Sequence, residues 1–403
     1  MTNSNITLHW FLPTYGDSRA IMAGGHGTTG HYGEREADLG YLTQLALAAE
    51  SNGFESVLVP TGLWCEDAWI ATAALIGATK RLGFLVAARP SLVSPTVIAQ
   101  QAATFQKLSN GRLKLNVVIG GEDHEQRSFG DHRTKEERYA MGDEALEVIE
   151  HLLTRAEPIT LHGKHIDVEN AVLSRRPANA PEIFFGGSSP AGIEVAAKHA
   201  GVYLTWGERP ADVQQKIERA RTAAAAHGRE LDYGIRLHII ARETEDEAWA
   251  EAQRLIDGLD PEVVAQIQGG LARSQSEGQR RMTALHGQGG AFHRGTDARD
   301  LEIAPNLWSG IGLVRGGAGT ALVGSYEQVA ERIGEYFDAG LGHFILSGYP
   351  HLEEAFHVGE GVVPALQRLG YGVKNRPAPT TPVKPAHVPF TTAEAALPAA
   401  SAS

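Results

Sequence analysis

The sequence predicts an α/β protein that folds as a (β/α)8 TIM barrel. Short apolar segments typical of strands alternate with amphipathic helices along most of the 403 residues, and eight such strands can be counted. The strands are apolar on both faces, as parallel strands are when helices cover both sides of the sheet. Eight βα units favour a closed barrel. An open doubly wound sheet has the same periodicity, but no glycine-rich dinucleotide-binding fingerprint follows the first strand.

The predicted strands and helices follow one another in a regular order. The strands cover residues 5–12, 55–60, 82–88, 112–119, 182–187, 202–206, 233–241 and 342–347. The helices cover residues 38–54, 66–79, 94–111, 136–155, 189–200, 210–227 and 351–369. Gly53 is a typical C-terminal stop for the first helix, and Ser94 with Pro95 is a typical start for the third.

Three segments break this alternation, as insertions after strands 1, 4 and 7. They are the glycine-rich loop 14–37, the polar loop 120–135 and the long segment 260–325. Loops that follow the strands of a barrel build its active-site face, so we expect all three near the site. Within the third, the glycine-rich stretch 286–300 is predicted to form a mobile lid.

The chain is predicted to form one barrel domain followed by a tail. The barrel covers residues 1–370, and residues 371–403 are rich in proline and alanine. Such a composition cannot build a packed core, so the tail is predicted to be extended or disordered.

Charge and cysteine content restrict the location and the partners of the protein. The net charge is −12, from 36 basic and 48 acidic residues, which disfavours binding to nucleic acid or to an anionic membrane. A single cysteine is typical of a reduced protein, and neither a signal peptide nor a membrane-spanning apolar run is visible. We therefore predict a cytoplasmic protein.

Polar residues near the carboxyl ends of predicted strands are candidates for the active site. Asn116 lies in strand 4, and Tyr349 follows strand 8. Gly186–Ser189 opens a helix whose N-terminus could bind phosphate, although a tight turn with a serine cap has the same sequence. Arg236 and His238 alternate in strand 7 and so face the same side. A guanidinium group in such an apolar strand requires an anionic ligand or a structural ion pair, and the pattern leaves both open.

Two further residues could carry chemistry. Cys65, the only cysteine, could be a nucleophile or a small buried residue. The adjacent Glu66 and Asp67 would raise the pKa of its thiol, which favours the second interpretation. Arg315 heads the glycine-rich stretch 315–324 and could reach an anion when that segment closes. The 17 histidines form no metal-binding pattern, so no metal is predicted.

With these residues placed, the chain resembles the alkanesulfonate monooxygenases, a family of the bacterial-luciferase-like superfamily. The similarity runs from about residue 5 to about residue 369, through HWFLPTYGD, TGLWCEDAW, ARPSLVSPTVIAQQAATFQKLSNGR, IFFGGSSP, YLTWGE, GIRLHIIARET, PNLWSGIGLVRGGAGTALVG and SGYPHLEEA. The resemblance implies a two-component system in which a separate NAD(P)H-dependent reductase supplies reduced FMN. The enzyme then uses O2 to cleave the C–S bond of an alkanesulfonate, which yields an aldehyde and sulfite. It also implies a homo-oligomer, either a tetramer or a dimer.

The resemblance further implies roles for individual residues. In the RLH motif, Arg236 would hold or protonate the flavin peroxide and the sulfonate, and His238 would help to orient it. Arg315 would fold over bound flavin, and Cys65 would form a hydrogen bond near it rather than attack. Tyr349 of SGYPH completes the implied catalytic set. The implied cofactor-binding residues are Ser188, Ser189, Tyr139, Asn116 and Trp206.

The sequence departs from that family in two loops. The family usually has threonine where Ile119 stands, and the polar loop 120–135 after it also differs. The first loop, 14–37, differs as well. These changes leave open a related organosulfur substrate, such as methanesulfonate or a sulfone.

Overall fold

The computed structural model describes residues 5–21, 34–287 and 292–374. In these ranges, eight parallel strands form a closed ring, which confirms the predicted TIM barrel. Each strand pairs with its neighbours, and the last strand closes the ring against the first, with His343 opposite Thr7. The barrel strands are β1 (Thr7–Phe11), β2 (Ser56–Val59), β3 (Gly83–Ala88), β4 (Leu113–Val117), β5 (Glu182–Gly186), β6 (Val202–Trp206), β7 (Asp232–Arg242) and β8 (His343–Ser347).

Helices cover the outside of the ring. Capping boxes mark several of their starts, with Thr134, Thr244 and Ser325 as the cap residues. The predicted cap Ser94 makes no side-chain hydrogen bond, but Pro95 occupies the first turn as expected. The α-helices span Leu39–Ser51, Ala68–Leu75, Pro95–Ser109, Asp123–Ser128, Lys135–Thr154, Pro190–His199, Pro210–Ala226, Glu245–Asp257, Pro261–Leu271, Glu277–His286, Tyr326–Asp338, His351–Phe356 and Val363–Arg368. A π-helical turn, His357–Val362, joins the last two.

Side chains pack on both sides of the barrel wall, and inside the barrel a polar layer lies below an apolar one. Outward-pointing side chains such as Trp10 pack under the helices. Toward the amino ends of the strands, the ring of His9 bonds to Ser56 at 2.7 Å and to His343 at 3.0 Å. Above this polar cluster lies an apolar layer, of which Leu58 and Ile345 also line the cavity described below. The members of the layer are Leu58, Leu85, Phe184, Val202 and Ile345.

The third insertion folds onto the upper half of β7. This strand has 11 residues, and its second half pairs in parallel with Ala321–Ser325. Antiparallel pairing continues through Leu307–Trp308 to Glu302–Ala304. Helices Pro261–Leu271 and Glu277–His286 precede these strands. The described part of the insertion therefore has its own secondary structure, which the glycine content of the segment did not indicate.

Four other elements were not predicted, and two of them are the helices Glu245–Asp257 and Tyr326–Asp338. The second insertion contains the short helix Asp123–Ser128, and a hairpin joins Ile159–His162 to Asp167–Ala171. Parts of the predicted lid, first loop and tail lie outside the described residues, namely 288–291, 22–33 and 375–403. Within the described ranges, no helix combines the length and the apolar character needed to cross a membrane.

Candidate active site

A cavity of about 360 Å³ lies at the carboxyl ends of the barrel strands. Two segments of the third insertion, 276–279 and 315–318, form part of its outer wall. Cys65 and Tyr349 lie behind the wall and contact residues that line it. The other predicted site residues all line the cavity, namely Arg236, His238, Arg315, Ser188, Ser189, Tyr139, Asn116 and Trp206.

Arg236 projects into the cavity from β7. Its guanidinium donates to the carbonyls of Leu237 and Ile345, at 2.7 and 3.5 Å, and to the hydroxyl of Ser347 at 2.8 Å. It also lies 4.7 Å above the ring of Phe11. Burial lowers the pKa of Arg236 to about 10, so the group remains a cation at neutral pH. None of the described carboxylates forms an ion pair with it, so the structural ion-pair alternative is wrong within the described ranges.

Arg315 reaches the same cavity from the insertion. Its guanidinium donates to the hydroxyls of Tyr349 and, at 2.9 Å, Tyr15, and only 7% of the residue is exposed. Burial alone would lower the pKa of Arg315, but the two phenolic oxygens raise it above its usual value. Here too, no ion pair with a carboxylate exists among the described residues. The cavity thus contains two buried cations whose bonding partners in the protein are neutral.

A chain of hydrogen bonds links Arg236 to the glycine-rich loop. Nη2 of Arg236 donates to the Ser347 hydroxyl, which bonds to Nδ1 of His238 at 2.8 Å. Nε2 of His238 lies 3.0 Å from the carbonyl of Ala318. Because a carbonyl can only accept, the His238 proton sits on Nε2 and Ser347 donates to Nδ1. Burial holds the pKa of His238 well below 6.5, so the ring is neutral and tethers the loop to the barrel.

Cys65 packs in an apolar cluster below the cavity rim, beside Phe11, Tyr15 and Trp64. Burial raises the pKa of the Cys65 thiol to about 12. The thiol is therefore protonated at neutral pH, which argues against a thiolate nucleophile. Tyr349 stacks on His238 with the ring centroids 5.5 Å apart, and it holds Arg315 in place.

The loop after β5 forms a narrow cradle in the cavity wall. A Cβ on Gly187 would lie 3.1 Å from the Cα of Gly192 and 3.3 Å from the hydroxyl of Tyr139, so a side chain at this position would crowd both neighbours. Ser189 accepts from the N–H of Gly192 at 3.2 Å and so caps the following helix. The serine-cap interpretation is thus correct for Ser189, whose side chain also bonds to Tyr139, and both Ser188 and Ser189 line the cavity. Hydroxyl groups at a helix N-terminus fit a phosphate such as that of FMN.

Asn116 and Trp206 line the cavity from β4 and β6. The indole of Trp206 packs against Gly278 of the insertion, where a Cβ would come within 2.8 Å of the ring. An aromatic wall and an amide fit a flat ring system with a polar edge. Together with the cradle, the residues present therefore fit FMN.

Polar contacts hold the insertion against the barrel. Gln279 accepts from the N–H of Gly317 at 2.8 Å, which fixes the glycine-rich loop. Nε of Arg281 donates to both carboxylate oxygens of Glu208, at 3.2 and 3.1 Å. Glu208 also pairs with the buried Lys216. The insertion is thus attached to the barrel by the ion pair between Arg281 and Glu208, by strand pairing with β7 and by a buried apolar cluster that joins Ile311 and Val314 to Ile240.

Three residues at the cavity were not indicated by the sequence pattern. Ser347 could have been found, because it ends β8 as other candidates end their strands. Tyr15 and Lys135 gave no such signal, since each lies in or beside an insertion. Among the described residues, no group of three or more His, Cys, Asp or Glu side chains is arranged to hold a metal ion.

Comparison with known proteins finds one matching family and several similar structures. A model of the family described as luciferase-like monooxygenase matches residues 19–343. The long-chain alkane monooxygenase LadA is 21% identical with a TM-score of 0.72, over 91% of this chain and 92% of that one. DmoA from Hyphomicrobium sulfonivorans is 21% identical with a TM-score of 0.73, over 93% and 91%. The EDTA monooxygenase EmoA from Chelativorans sp. BNC1 is 20% identical with a TM-score of 0.67, over 93% and 96%. Identities at this level support the shared fold.

Proposed function

The chain belongs to the luciferase-like monooxygenase family, and on that premise we propose that it desulfonates alkanesulfonates with reduced FMN and O2. The products are an aldehyde and sulfite. The observation that carries the proposal is the pair Arg236 and Arg315, two cavity-lining cations without a carboxylate partner among the described residues. A sulfonate is anionic at neutral pH, and hydrogen bonds between ions are stronger than those between neutral groups. Fixed guanidinium groups suit such a head group better than they suit an alkane or an alcohol.

Reduced FMN, delivered by a separate NAD(P)H-dependent reductase, supplies the electrons that activate O2. The cradle residues Ser188, Ser189 and Tyr139 hold its phosphate, and Asn116 and Trp206 contact its ring system. Apolar side chains that line the cavity, such as Leu58 and Ile345, keep water from the reacting atoms. The protein itself binds the flavin and the substrate, orients them and shields them from water.

The remaining predicted residues act by positioning. His238 stays neutral and keeps the glycine-rich loop in place through Ala318. Tyr349 holds Arg315 toward the cavity, and Cys65 contributes packing and a protonated thiol near the flavin. None of these roles requires a charged histidine or a thiolate.

The third insertion is proposed to close over the bound ligands. Residues 276–279 and 315–318 form part of the cavity wall, so movement of these segments would widen the cavity for FMN. Arg281 bonds to Glu208 and the carbonyl of Ala318 bonds to His238, so opening of the cavity would break these polar contacts. Closure would exclude water while oxygen chemistry proceeds.

A cytoplasmic homo-oligomer, a dimer or tetramer, is also proposed. The helix Ala68–Leu75 carries no charged side chain and leaves Ile70 75% exposed. It packs beside the helix Pro95–Ser109, through rings of Trp69 and Phe105 that lie 6.3 Å apart. An uncharged surface with exposed apolar groups suits a second copy of the chain. Light scattering should give a mass at least twice that of the chain, and a monomer at micromolar concentration would contradict this.

A second candidate substrate class is a smaller or less polar organosulfur compound, such as methanesulfonate or a sulfone. Ile119 favours it, because the hydroxyl that the related family usually has at this position is missing from the cavity wall. Ile119 lines the cavity, and its side chain packs toward Gly142 of the neighbouring helix.

The proposal is tested by sulfite release. The protein is incubated with FMN, NADH, a flavin reductase and a short alkanesulfonate, and a mixture with the reductase alone is the control. We expect sulfite above the control. Turnover of methanesulfonate or of a sulfone, but of no longer alkanesulfonate, would favour the second candidate, and oxidation of no organosulfur compound would contradict both.

A further inference from the structure

Lys135 is a cation in the cavity wall that the sequence pattern did not single out. It begins the helix Lys135–Thr154 and lines the same cavity as the cradle after β5. Its ammonium group donates to the carbonyl of Gln275 at 3.2 Å. Among the described residues it forms no ion pair with a carboxylate.

The neighbouring cations differ from Lys135 in this respect. Arg138 pairs with Asp123 at 2.8 Å, Arg280 pairs with Glu277 at 2.5 Å, and Arg281 pairs with Glu208. Acidic side chains are therefore plentiful around the entrance to the cavity, and Glu122 attracts Lys135 at longer range, but no described carboxylate lies within ion-pair distance of it. Burial and the nearby Arg280 lower the pKa of Lys135, which marks it as a partly desolvated group.

The side chain of Lys135 lies on the face of its helix that is turned toward the cradle. Lys135 and Tyr139 are four residues apart, so both side chains lie on one face of the helix. The hydroxyl of Tyr139 would be 3.3 Å from a Cβ on Gly187, which puts this face against the loop that carries Ser188 and Ser189.

The negative charge of the FMN phosphate also favours a contact with Lys135. A phosphate monoester carries a charge of about −1.5 to −2 at pH 7. The cradle offers hydroxyl groups and a helix N-terminus but no full positive charge, in a protein whose net charge is −12. We propose that Lys135 is a further cofactor-binding residue, whose ammonium group contacts the 5′-phosphate of FMN. This inference rests on the proposed use of FMN.

A purely structural role makes a different prediction. If Lys135 only tethers the insertion through Gln275, its loss should weaken every ligand that the closed cavity holds. If it binds the phosphate, its loss should weaken FMN but not riboflavin, which has the same ring system and no phosphate. The ratio of the two affinities therefore separates the roles.

The experiment is a fluorescence titration of FMN and of riboflavin into the wild type, Lys135→Met and Lys135→Arg. The control is Lys164→Met, the same change at an exposed lysine. We expect Lys135→Met to raise the Kd for FMN by about tenfold to a hundredfold, the effect of one hydrogen bond between charged groups, with riboflavin unchanged. Lys135→Arg should retain most of the affinity, and Lys164→Met all of it.

Equal losses for FMN and riboflavin, or no loss for either, would overturn the assignment. Failure of the wild type to bind FMN would overturn both this inference and the proposed function. A selective loss of FMN binding in a protein that releases no sulfite would keep Lys135 as a phosphate ligand while removing the proposed reaction.

Discussion

Replacing Arg236 by methionine should separate what this guanidinium costs in stability from what it contributes to the reaction. Burial lowers the pKa of Arg236 by more than two units, to about 10. That difference corresponds to about 3 kcal/mol of unfavourable free energy for the buried cation, since one pKa unit is about 1.4 kcal/mol. Hydrogen bonds to Ser347 and to backbone carbonyls offset part of this cost. Methionine brings no charge, so we expect the free energy of unfolding to stay within about 1 kcal/mol of wild type or to rise.

The same substitution should nearly abolish turnover. Without Arg236 a sulfonate loses one or two hydrogen bonds between charged groups, each worth about 1.5–3 kcal/mol. We therefore expect kcat/KM for sulfite release to fall by about 10²- to 10⁴-fold, with the affinity for FMN unchanged.

The measurements are sulfite release at saturating reduced FMN and urea unfolding monitored by circular dichroism. Arg254→Met is the matched control, because Arg254 is an exposed residue whose ion pair with Glu251 lies on the surface. It should change neither quantity noticeably. Wild-type kcat/KM in Arg236→Met, or a loss of several kcal/mol of stability together with activity, would show that Arg236 is a structural residue.

Further expectations concern the hydrogen-bond chain, the insertion and pH. Ser347→Ala should lower kcat/KM about tenfold, because His238 loses the hydrogen bond that Ser347 donates to its Nδ1. Ser347→Thr should restore part of the activity, and equal activity of all three proteins would contradict a role for this chain of hydrogen bonds. Arg281→Met should raise the KM for the sulfonate and speed proteolysis of the helix Glu277–His286, whereas Arg280→Met, on the same helix, should do neither; identical digestion patterns would argue against the Glu208 contact. The carboxylates around His199 raise its pKa to about 9, so its stabilising contribution is full below pH 6.5 and is lost as pH rises through 9. Urea unfolding of wild type and His199→Gln should therefore converge between pH 6.5 and 9, and a constant difference would count against this pairing.

Most of the fold could be predicted because the barrel strands have a strong local signal. Each of the eight predicted strands corresponds to a barrel strand, with ends that differ by a few residues. The hairpin Ile159–His162 and Asp167–Ala171 was missed because its second strand is largely polar and exposed, which gives no apolar alternation. The strand Ala321–Ser325 was hidden by the glycines before it, and it forms because β7 extends beyond the ring and leaves an edge to pair with.

Site residues could be predicted where the position of a residue on a strand determines the direction of its side chain. Arg236 and His238 could be placed on one face of β7 from their spacing alone, and both line the cavity. Whether Arg236 had a carboxylate partner could not be decided, because any of the acidic residues in the chain could have supplied one. Tyr15 was missed because its role depends on a contact with Arg315, 300 residues away. Such partnerships arise only when the barrel closes.

A structure of the protein with FMN and a short alkanesulfonate would test the role of the paired arginines most directly. The sulfonate oxygens should lie within hydrogen-bonding distance of both Arg236 and Arg315, beside the flavin ring, with the FMN phosphate at Ser188 and Ser189. A sulfonate bound elsewhere in the cavity, with water in contact with both guanidinium groups, would contradict the proposed recognition of the head group.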